Sequence, residues 1–327
     1  MIKRFFKIEK SKINFLKSKR IFLFGLSFKI NKFGFKNYLK LCRSFVPKNI
    51  FKKDNSARPC VNLSIVAIYK NEPDIIEWIE YHKLIGVQRF YLYDNESTDN
   101  SYELLAPYIQ DGTVVYHFAQ GKCQQMPVYR DAIFSYKNET NWLAIIDLDE
   151  YIVPVECENL SSFLEEYKDF PALGVNWVMF DSNGYEKRPN KLVIEAYTRV
   201  QSVLDNPVNR HIKSIVNPKK VRFVTNPHYC FYKNHELAVD ENRNPIGSYP
   251  YIGDKNAFTK NISVNKIRIN HYHTKSLEDY NRKRELGFAD TLRVRPQNNS
   301  CLNYSNFRED FVIQKFLPKL KQKMFDK

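Results

Sequence analysis

Short apolar runs alternate with helical patterns over the central part of the chain. Four runs have the length of a buried strand, and the first three lead into segments in which apolar residues recur every three or four positions. The runs lie at residues 62–69, 90–94, 113–118 and 141–147. Strands that alternate with helices in this way are typical of a parallel sheet between helical layers. The pattern therefore predicts an α/β fold, a three-layer sandwich with a mostly parallel central sheet.

The pattern is less regular beyond Pro154. Residues 158–169 have helical periodicity, and three later segments have the composition of strands. These strand-like segments are residues 172–180, 191–198 and 264–273. Residues 206–261 are rich in Pro, Asn and aromatic residues, and we interpret them as the long-looped wall of an active site.

Two of the predicted helices contain residues with a specific interpretation. His82 lies on the apolar face of the first helix, and we interpret it as a hydrogen-bonded structural residue. Ser276 and Asp279 have the spacing of a capping box, so a charged helix is expected to begin there and to end at Gly287.

The net charge of +15 belongs to the N-terminal segment. Residues 1–53 contain 16 Lys and Arg against one acid, whereas residues 54–327 contain 35 basic and 35 acidic residues. The longest uncharged apolar run in the segment, Ile21–Phe28, has eight residues, and a membrane-spanning helix needs about 20. Interleaved Lys and Phe suit an anionic membrane surface, which is our prediction for residues 1–53. The alternatives are an inert tail and a nucleic-acid-binding segment. Nucleic-acid binding is disfavoured because residues 54–327 contain no zinc site or RNP-like aromatic motif.

Several common functional classes are excluded by spacing. The six cysteines are never closer together than 18 residues, so CxxC redox and zinc-ribbon motifs are missing and a reducing compartment is expected. No two of the ten glycines have a GxG spacing, which excludes the dinucleotide fingerprint. The Walker loop and the GxSxG elbow are absent as well.

Polar clusters follow three of the predicted strands. They are Lys70–Glu72, Asp94–Ser97 and Asp147–Glu150. Ligands of open α/β sheets bind beyond the carboxyl ends of the strands. Asp147 and Asp149 at such an end predict a site for a hard divalent cation. His271 is the candidate third ligand, since it shares a strand end with His273 and Lys275.

Segments in the same order resemble glycosyltransferase family 92 and its bacterial family-2-like relatives. They are KNEPDIIEWIEYHKLIGVQRFYLYDNESTD (70–99), WLAIIDLDEYIVP (142–154), FDSNGY (180–185), KSIVNPKKV (213–221), His228 and HYHTKSLEDYNRKRELG (271–287). The resemblance covers roughly residues 61–290. It implies a GT-A type, Rossmann-like fold and a metal-dependent, inverting transfer of a hexose from a nucleotide sugar, commonly a UDP-sugar.

The resemblance also assigns residues to roles. Mn²⁺ or Mg²⁺ would be bound by Asp149 and His271, with Asp147 contacting the metal or the ribose. The residues expected on the donor side are Asn71, Glu72, Asp94, Asn95, Gln125, Tyr129, Arg130, Asp147 and Lys213. Two positions depart from the family pattern: Asp181 stands where glycine is expected, and Tyr151 replaces phenylalanine.

Inversion requires a carboxylate base near the acceptor hydroxyl. Asp181, Glu236 and Asp240 are the candidates, and the sequence does not choose among them.

The complete prediction is a glycosyltransferase with four regions. A basic membrane-associating segment (1–53) and a linker (54–60) precede the GT-A domain (61–290), and a basic helical tail (291–327) follows. We expect a cytoplasmic enzyme, peripheral on the inner face of the cytoplasmic membrane, with lipopolysaccharide or a related glycan or glycolipid as acceptor. The alternatives are a nucleotidyltransferase of related architecture and a non-catalytic membrane-bound adaptor.

Overall fold

The computed structural model describes most of the chain beyond residue 60. The described residues are 60–201, 203–204, 206–224, 226–248, 256–293, 295 and 307–325, together with three short strands near the N-terminus. The chain divides into two compact units, Met1–Asn55 and Ser56–Lys327. The predicted linker, apart from Cys60, and most of the basic segment lie outside the described residues.

The described strands of the first unit form an antiparallel sheet. β1 (Ile8–Lys10) pairs with β2 (Lys19–Leu23), which pairs with β3 (Leu26–Ile30). The apolar and basic pattern of this segment did not predict these strands.

An eight-stranded sheet forms the centre of the second unit. The strands of this unit are β4 (Val61–Tyr69), β5 (Arg89–Asp94), β6 (Val114–Phe118), β7 (Thr140–Ile145), β8 (Glu150–Pro154), β9 (Ala172–Met179), β10 (Arg199–Gln201), β11 (Ile212–Val216), β12 (Val221–Val224), β13 (Cys230–Tyr232), β14 (Ile267–His271) and β15 (Phe307–Glu309). The order in the large sheet is β6-β5-β4-β7-β11-β9-β14-β8, and β10-β15 and β12-β13 form two small sheets.

Strand direction in the large sheet follows the predicted pattern. β4, β5, β6 and β7 are parallel to one another, and β9 is parallel to β14. β11 and β8 run in the opposite direction. All six residues of β5 are buried, as expected for a strand covered on both faces. The mostly parallel α/β fold predicted from the sequence is confirmed.

Seven α-helices are present in the described part of the second unit. They are α1 (Ile75–Leu84), α2 (Ser101–Gln110), α3 (Gln125–Tyr136), α4 (Leu160–Leu164), α5 (Val193–Ala196), α6 (Leu277–Leu286) and α7 (Leu317–Phe325). The charged helix α6 begins as predicted, since the Ser276 hydroxyl accepts a hydrogen bond from the Asp279 N–H at 3.1 Å.

The structure confirms the interpretation of His82 and shows how α1 is fixed to β8. The His82 Nδ1–H donates to the Trp78 carbonyl at 2.8 Å, and Nε2 accepts from the Ile152 N–H at 3.3 Å. Complete burial lowers the pKa of His82 to about 3, so the ring is neutral. Trp78 Nε1 also donates to the Glu150 carbonyl at 2.8 Å, which holds the start of β8.

The predicted strand at residues 191–198 is wrong. Val193–Ala196 forms the short helix α5. The Glu77 carboxyl accepts hydrogen bonds from the N–H groups of Val193 (2.8 Å) and Ile194 (3.3 Å), so a residue from α1 caps α5. A contact between positions more than a hundred residues apart overrides the local strand propensity.

The described C-terminal residues pack on the core. Ile313, Phe316 and Leu320 are buried, and the Phe316 ring lies 5.7 Å from the Tyr81 ring on α1. Among the described residues, no helix has both the length and the hydropathy needed to cross a bilayer.

Candidate active site

A cleft lies at one edge of the large sheet. The carboxyl ends of β4, β5, β7, β9 and β14 meet the amino ends of β8 and β11 at this edge. The cleft has a volume of about 330 Å³ and is flanked by α6. The polar residues predicted from the sequence that line it are Glu72, Asn95, Gln125, Asp147, Asp149, Lys213 and His271.

Asp147 forms the floor of the cleft and is held by three donors. Oδ1 accepts from the Tyr129 hydroxyl (2.8 Å) and from Gln125 Nε2 (3.0 Å), and Oδ2 accepts from Lys213 Nζ (2.7 Å). Burial opposes ionisation of this carboxyl, but the Lys213 ammonium lowers the pKa of Asp147 below its usual value. One third of the side chain, 33%, remains exposed. Asp147 is therefore ionised and open to a ligand.

Lys213 connects two carboxylates beneath the floor. Its side chain is 1% exposed, and Nζ also lies 3.4 Å from Glu150 Oε2. Glu150 Oε2 also accepts a hydrogen bond from the backbone N–H of Asp147 at 2.8 Å. Burial raises the pKa of Glu150, although the Lys213 ammonium lowers it. Burial lowers the pKa of Lys213, but Asp147 and Glu150 together raise it above its usual value.

Asp149 and His271 form a carboxylate–imidazole pair beside Asp147. His271 Nε2 lies 3.5 Å from Asp149 Oδ2, and Lys283 Nζ donates to the same oxygen. Burial opposes the charge on Asp149, but Lys283 and then His271 lower its pKa well below the ordinary range. Burial lowers the pKa of His271, which favours the neutral imidazole that can bind a metal.

The geometry of this pair fits a divalent cation. Two ligands of one Mg²⁺ or Mn²⁺ ion at about 2.1 Å lie roughly 3 Å or slightly more from each other, close to the separation of Asp149 Oδ2 and His271 Nε2. Both oxygens of Asp147 accept hydrogen bonds from protein groups, and its contact with the metal or the ribose stays a prediction. No group of three His, Cys, Asp or Glu side chains with metal-binding geometry occurs in the described part of the chain. A cation held by one carboxylate and one imidazole would complete its shell with phosphate oxygens and water, as Mg²⁺ commonly does.

The residues expected on the donor side fall into two groups. Glu72 and Asn95 line the cleft, and Glu72 Oε1 accepts from Lys275 Nζ at 3.2 Å. Asn71 and Asp94 lie behind them and shape the turns: Asn71 Oδ1 accepts from the Thr98 N–H at 2.7 Å, and Asp94 accepts from Ser97 and Tyr116. Tyr129 and Arg130 lie on α3 outside the cleft lining, where Tyr129 orients Asp147.

The three candidate bases are not brought to the cleft. Asp181 Oδ2 accepts from Arg199 Nη2 at 2.6 Å, and Glu236 Oε2 lies 3.4 Å from Lys220 Nζ. Asp240 accepts the N–H groups that close its own turn. None of the three lines the cleft. Each carboxylate has a local structural partner instead.

Sequence reasoning missed the basic groups on the α6 side of the cleft. Arg282 and Lys283 on α6 and Arg295 after it line the cleft, and Arg282 Nη1 donates to the Asn71 carbonyl. The charged helix directly after the His271 strand was the available signal, but its helical pattern alone does not show which bases face the sheet edge.

The chain matches the family model described as glycosyltransferase family 92 over residues 63–285. A family 92 protein of Oryza sativa subsp. japonica is 29% identical over 167 residues, which are 49% of this chain and 28% of that protein. A galactan beta-1,4-galactosyltransferase of Arabidopsis thaliana is 28% identical over 171 residues, 46% of this chain and 33% of that protein. The chain thus spans about a third of the length of these curated relatives.

Solved structures show weaker similarity. Staphylococcus aureus TarS, residues 1–349 in complex with UDP-GlcNAc, matches 48% of this chain and 46% of that chain at 12% identity and a TM-score of 0.33. The family match covers well over half of the chain and includes the strand ends that form the cleft. The chain therefore belongs to glycosyltransferase family 92.

Proposed function

We propose that the chain is an inverting glycosyltransferase that moves a hexose from a UDP-sugar to a glycan acceptor with the help of Mn²⁺ or Mg²⁺. The observation that supports this most is the Asp149–His271 pair beside a cleft rich in cationic side chains, in a chain of this family. The intact acidic residues and His271 favour a transferase over a non-catalytic adaptor, which has no need of a cation site.

The donor diphosphate would lie along the basic residues of the cleft. Lys213 at the floor, Lys275 beside Glu72 and Arg295 at the rim provide positive charge around the Asp147–Asp149 turn. Glu72 and Asn95 lie at the ends of neighbouring strands, where they would bind the nucleoside. When bound by Asp149 and His271, the cation supplies charge neutralisation for the departing diphosphate. The proposal assigns the general base to none of Asp181, Glu236 and Asp240.

Binding of UDP tests the donor and metal parts of the proposal together. We expect calorimetry on the full chain to show UDP binding that is at least tenfold tighter with Mn²⁺ than with EDTA, and Asp149→Asn to remove the difference. Asp169→Asn is the matched control, because Asp169 is exposed and lies outside the cleft. Metal-independent UDP binding that survives Asp149→Asn would contradict the metal site, and no UDP binding at all would favour the adaptor.

The acceptor and the location are part of the same proposal. Residues 1–53 carry the whole net charge, so we infer that they bind anionic lipid on the inner face of the cytoplasmic membrane, where a lipid-linked glycan such as a lipopolysaccharide precursor would be the acceptor. Deleting residues 1–53 should move the protein from the membrane fraction to the supernatant. Unchanged fractionation would refute the membrane role of this segment.

A further inference from the structure

One basic residue of the cleft contacts the carboxylate assigned to the cation. Lys283 Nζ donates to Asp149 Oδ2 and to the His273 carbonyl, at 3.2 Å for the latter. Since His271 Nε2 lies 3.5 Å from the same Asp149 oxygen, the Lys283 ammonium and the imidazole both face the oxygen that would bind the metal.

Lys283 differs from the other lysine at the cleft floor. Lys213 is 1% exposed and lies between Asp147 and Glu150, so its removal would leave the ionised Asp147 without its cationic partner. The Lys283 side chain is 26% exposed and extends from the flank of α6 into the cleft. It can therefore leave Asp149 by side-chain rotation, with its ammonium still in contact with water or a ligand.

An ammonium and a divalent cation cannot share this oxygen. Both need to lie within about 3 Å of Asp149 Oδ2, where their mutual repulsion in a partly buried site is strong. Six basic side chains, Lys283 among them, and five acidic side chains line the cleft, so a divalent cation bound at Asp149 would leave a positive lining that suits a diphosphate.

We propose that Lys283 is an exchangeable counterion: it neutralises Asp149 until a divalent cation takes that oxygen, and it then pairs with the diphosphate of the donor. This inference rests on the proposed function and names the residue that couples metal binding to donor binding. If Lys283 holds Asp149 in about nine of ten molecules, the apparent affinity for metal alone is about tenfold below its intrinsic value. The donor restores that affinity, because it gives Lys283 an alternative anionic partner.

Mn²⁺ binding to the full chain without nucleotide, measured by electron paramagnetic resonance, tests the exchange. We expect Lys283→Met to bind Mn²⁺ about tenfold more tightly than the wild type. The matched control is Lys319→Met, since Lys319 is exposed and pairs with Glu158 outside the cleft. Asp149→Asn should abolish Mn²⁺ binding both in the wild type and in Lys283→Met. At saturating Mn²⁺, UDP should bind at least fivefold more weakly to Lys283→Met than to the wild type.

An equal or weaker affinity of Lys283→Met for Mn²⁺ would overturn the proposal. Lys283→Gln and a thermal melt of each variant separate this result from a folding defect, because both substitutions should give the same direction of change at a similar Tm. Failure of the proposed function would give a different result, because the wild type would then bind Mn²⁺ but release no UDP from any sugar. The comparison of Mn²⁺ affinity between Lys283→Met and the wild type would still report the exchange.

Discussion

At the residue scale, the charges of the cleft floor depend on one lysine. Lys213 is the buried cation that pairs with the ionised Asp147, and removing one partner of such a pair leaves uncompensated charge. We expect Lys213→Met to lower the free energy of unfolding by about 3–5 kcal/mol, measured by urea denaturation. Asp147→Asn in the same background should recover part of the loss. A change below about 1 kcal/mol would contradict this role for Lys213.

A second residue-scale prediction concerns acid stability. His82 has a pKa of about 3 in the folded chain and about 6.5 when unfolded, so the unfolded state binds its proton first as the pH falls. The contribution of the neutral His82 ring to the free energy of unfolding is complete above pH 6.5. It is lost between pH 6.5 and pH 3 at about 1.4 kcal/mol per pH unit. Burial raises the pKa of Glu77 to about 8, so the contribution of Glu77 to stability increases as the pH falls. Comparison of the wild type with His82→Gln separates the effect of His82 from this opposite effect.

The measurement is urea denaturation of both proteins at several pH values. The stability advantage of the wild type over His82→Gln should shrink as the pH falls from 6.5 to 4. A difference that is independent of pH would mean that His82 is not buried as a neutral ring.

Individual residues of the cleft could be predicted from the sequence where they lie at the end of a predicted strand. Asp147, Asp149 and His271 were recognisable because parallel strands place their carboxyl ends at one edge. Lys283 was not, because its contact with Asp149 depends on how α6 packs against residues more than a hundred positions earlier. No local pattern records such a contact.

At the element scale, the segment after β9 is held by polar contacts that the sequence does not reveal. Asp181 pairs with Arg199 at the start of β10, and Asn183 Nδ2 donates to the Thr198 hydroxyl at 2.8 Å. Asp181 thus fixes the segment between β9 and β10 and does not line the cleft.

Asp181→Asn tests this structural role. We expect the turnover number to stay within threefold of the wild type, while the free energy of unfolding falls by about 1–3 kcal/mol because a buried charged hydrogen bond is lost. Glu236→Gln is the control, since its pair with Lys220 is partly exposed and worth little. A loss of turnover of 100-fold or more at unchanged stability would instead identify Asp181 as the general base.

Elements were predictable to different degrees for a physical reason. β4, β5, β6 and β7 are apolar runs bounded by polar turns, so local composition is sufficient. α5 was misassigned because Glu77 on α1 caps it, and β1–β3 were not anticipated in a segment dominated by charge.

At the scale of the whole molecule, family membership and the cleft support the same account. The family match spans residues 63–285, from the third residue of β4 through most of α6, and the cleft is formed by the strand ends within that span. The basic residues 1–53 lie outside the match, so the proposed membrane binding and the proposed glycosyl transfer belong to different parts of the chain.

Release of UDP from a panel of UDP-sugars tests the central claim most directly. Many transferases slowly hydrolyse their own donor, so the purified full chain can be assayed without an acceptor, with Mn²⁺ or EDTA, beside Asp149→Asn and the Asp169→Asn control. The account predicts release from one sugar that EDTA and Asp149→Asn both abolish and Asp169→Asn preserves. Release that continues in EDTA and in Asp149→Asn would contradict the metal-dependent site at Asp149 and His271.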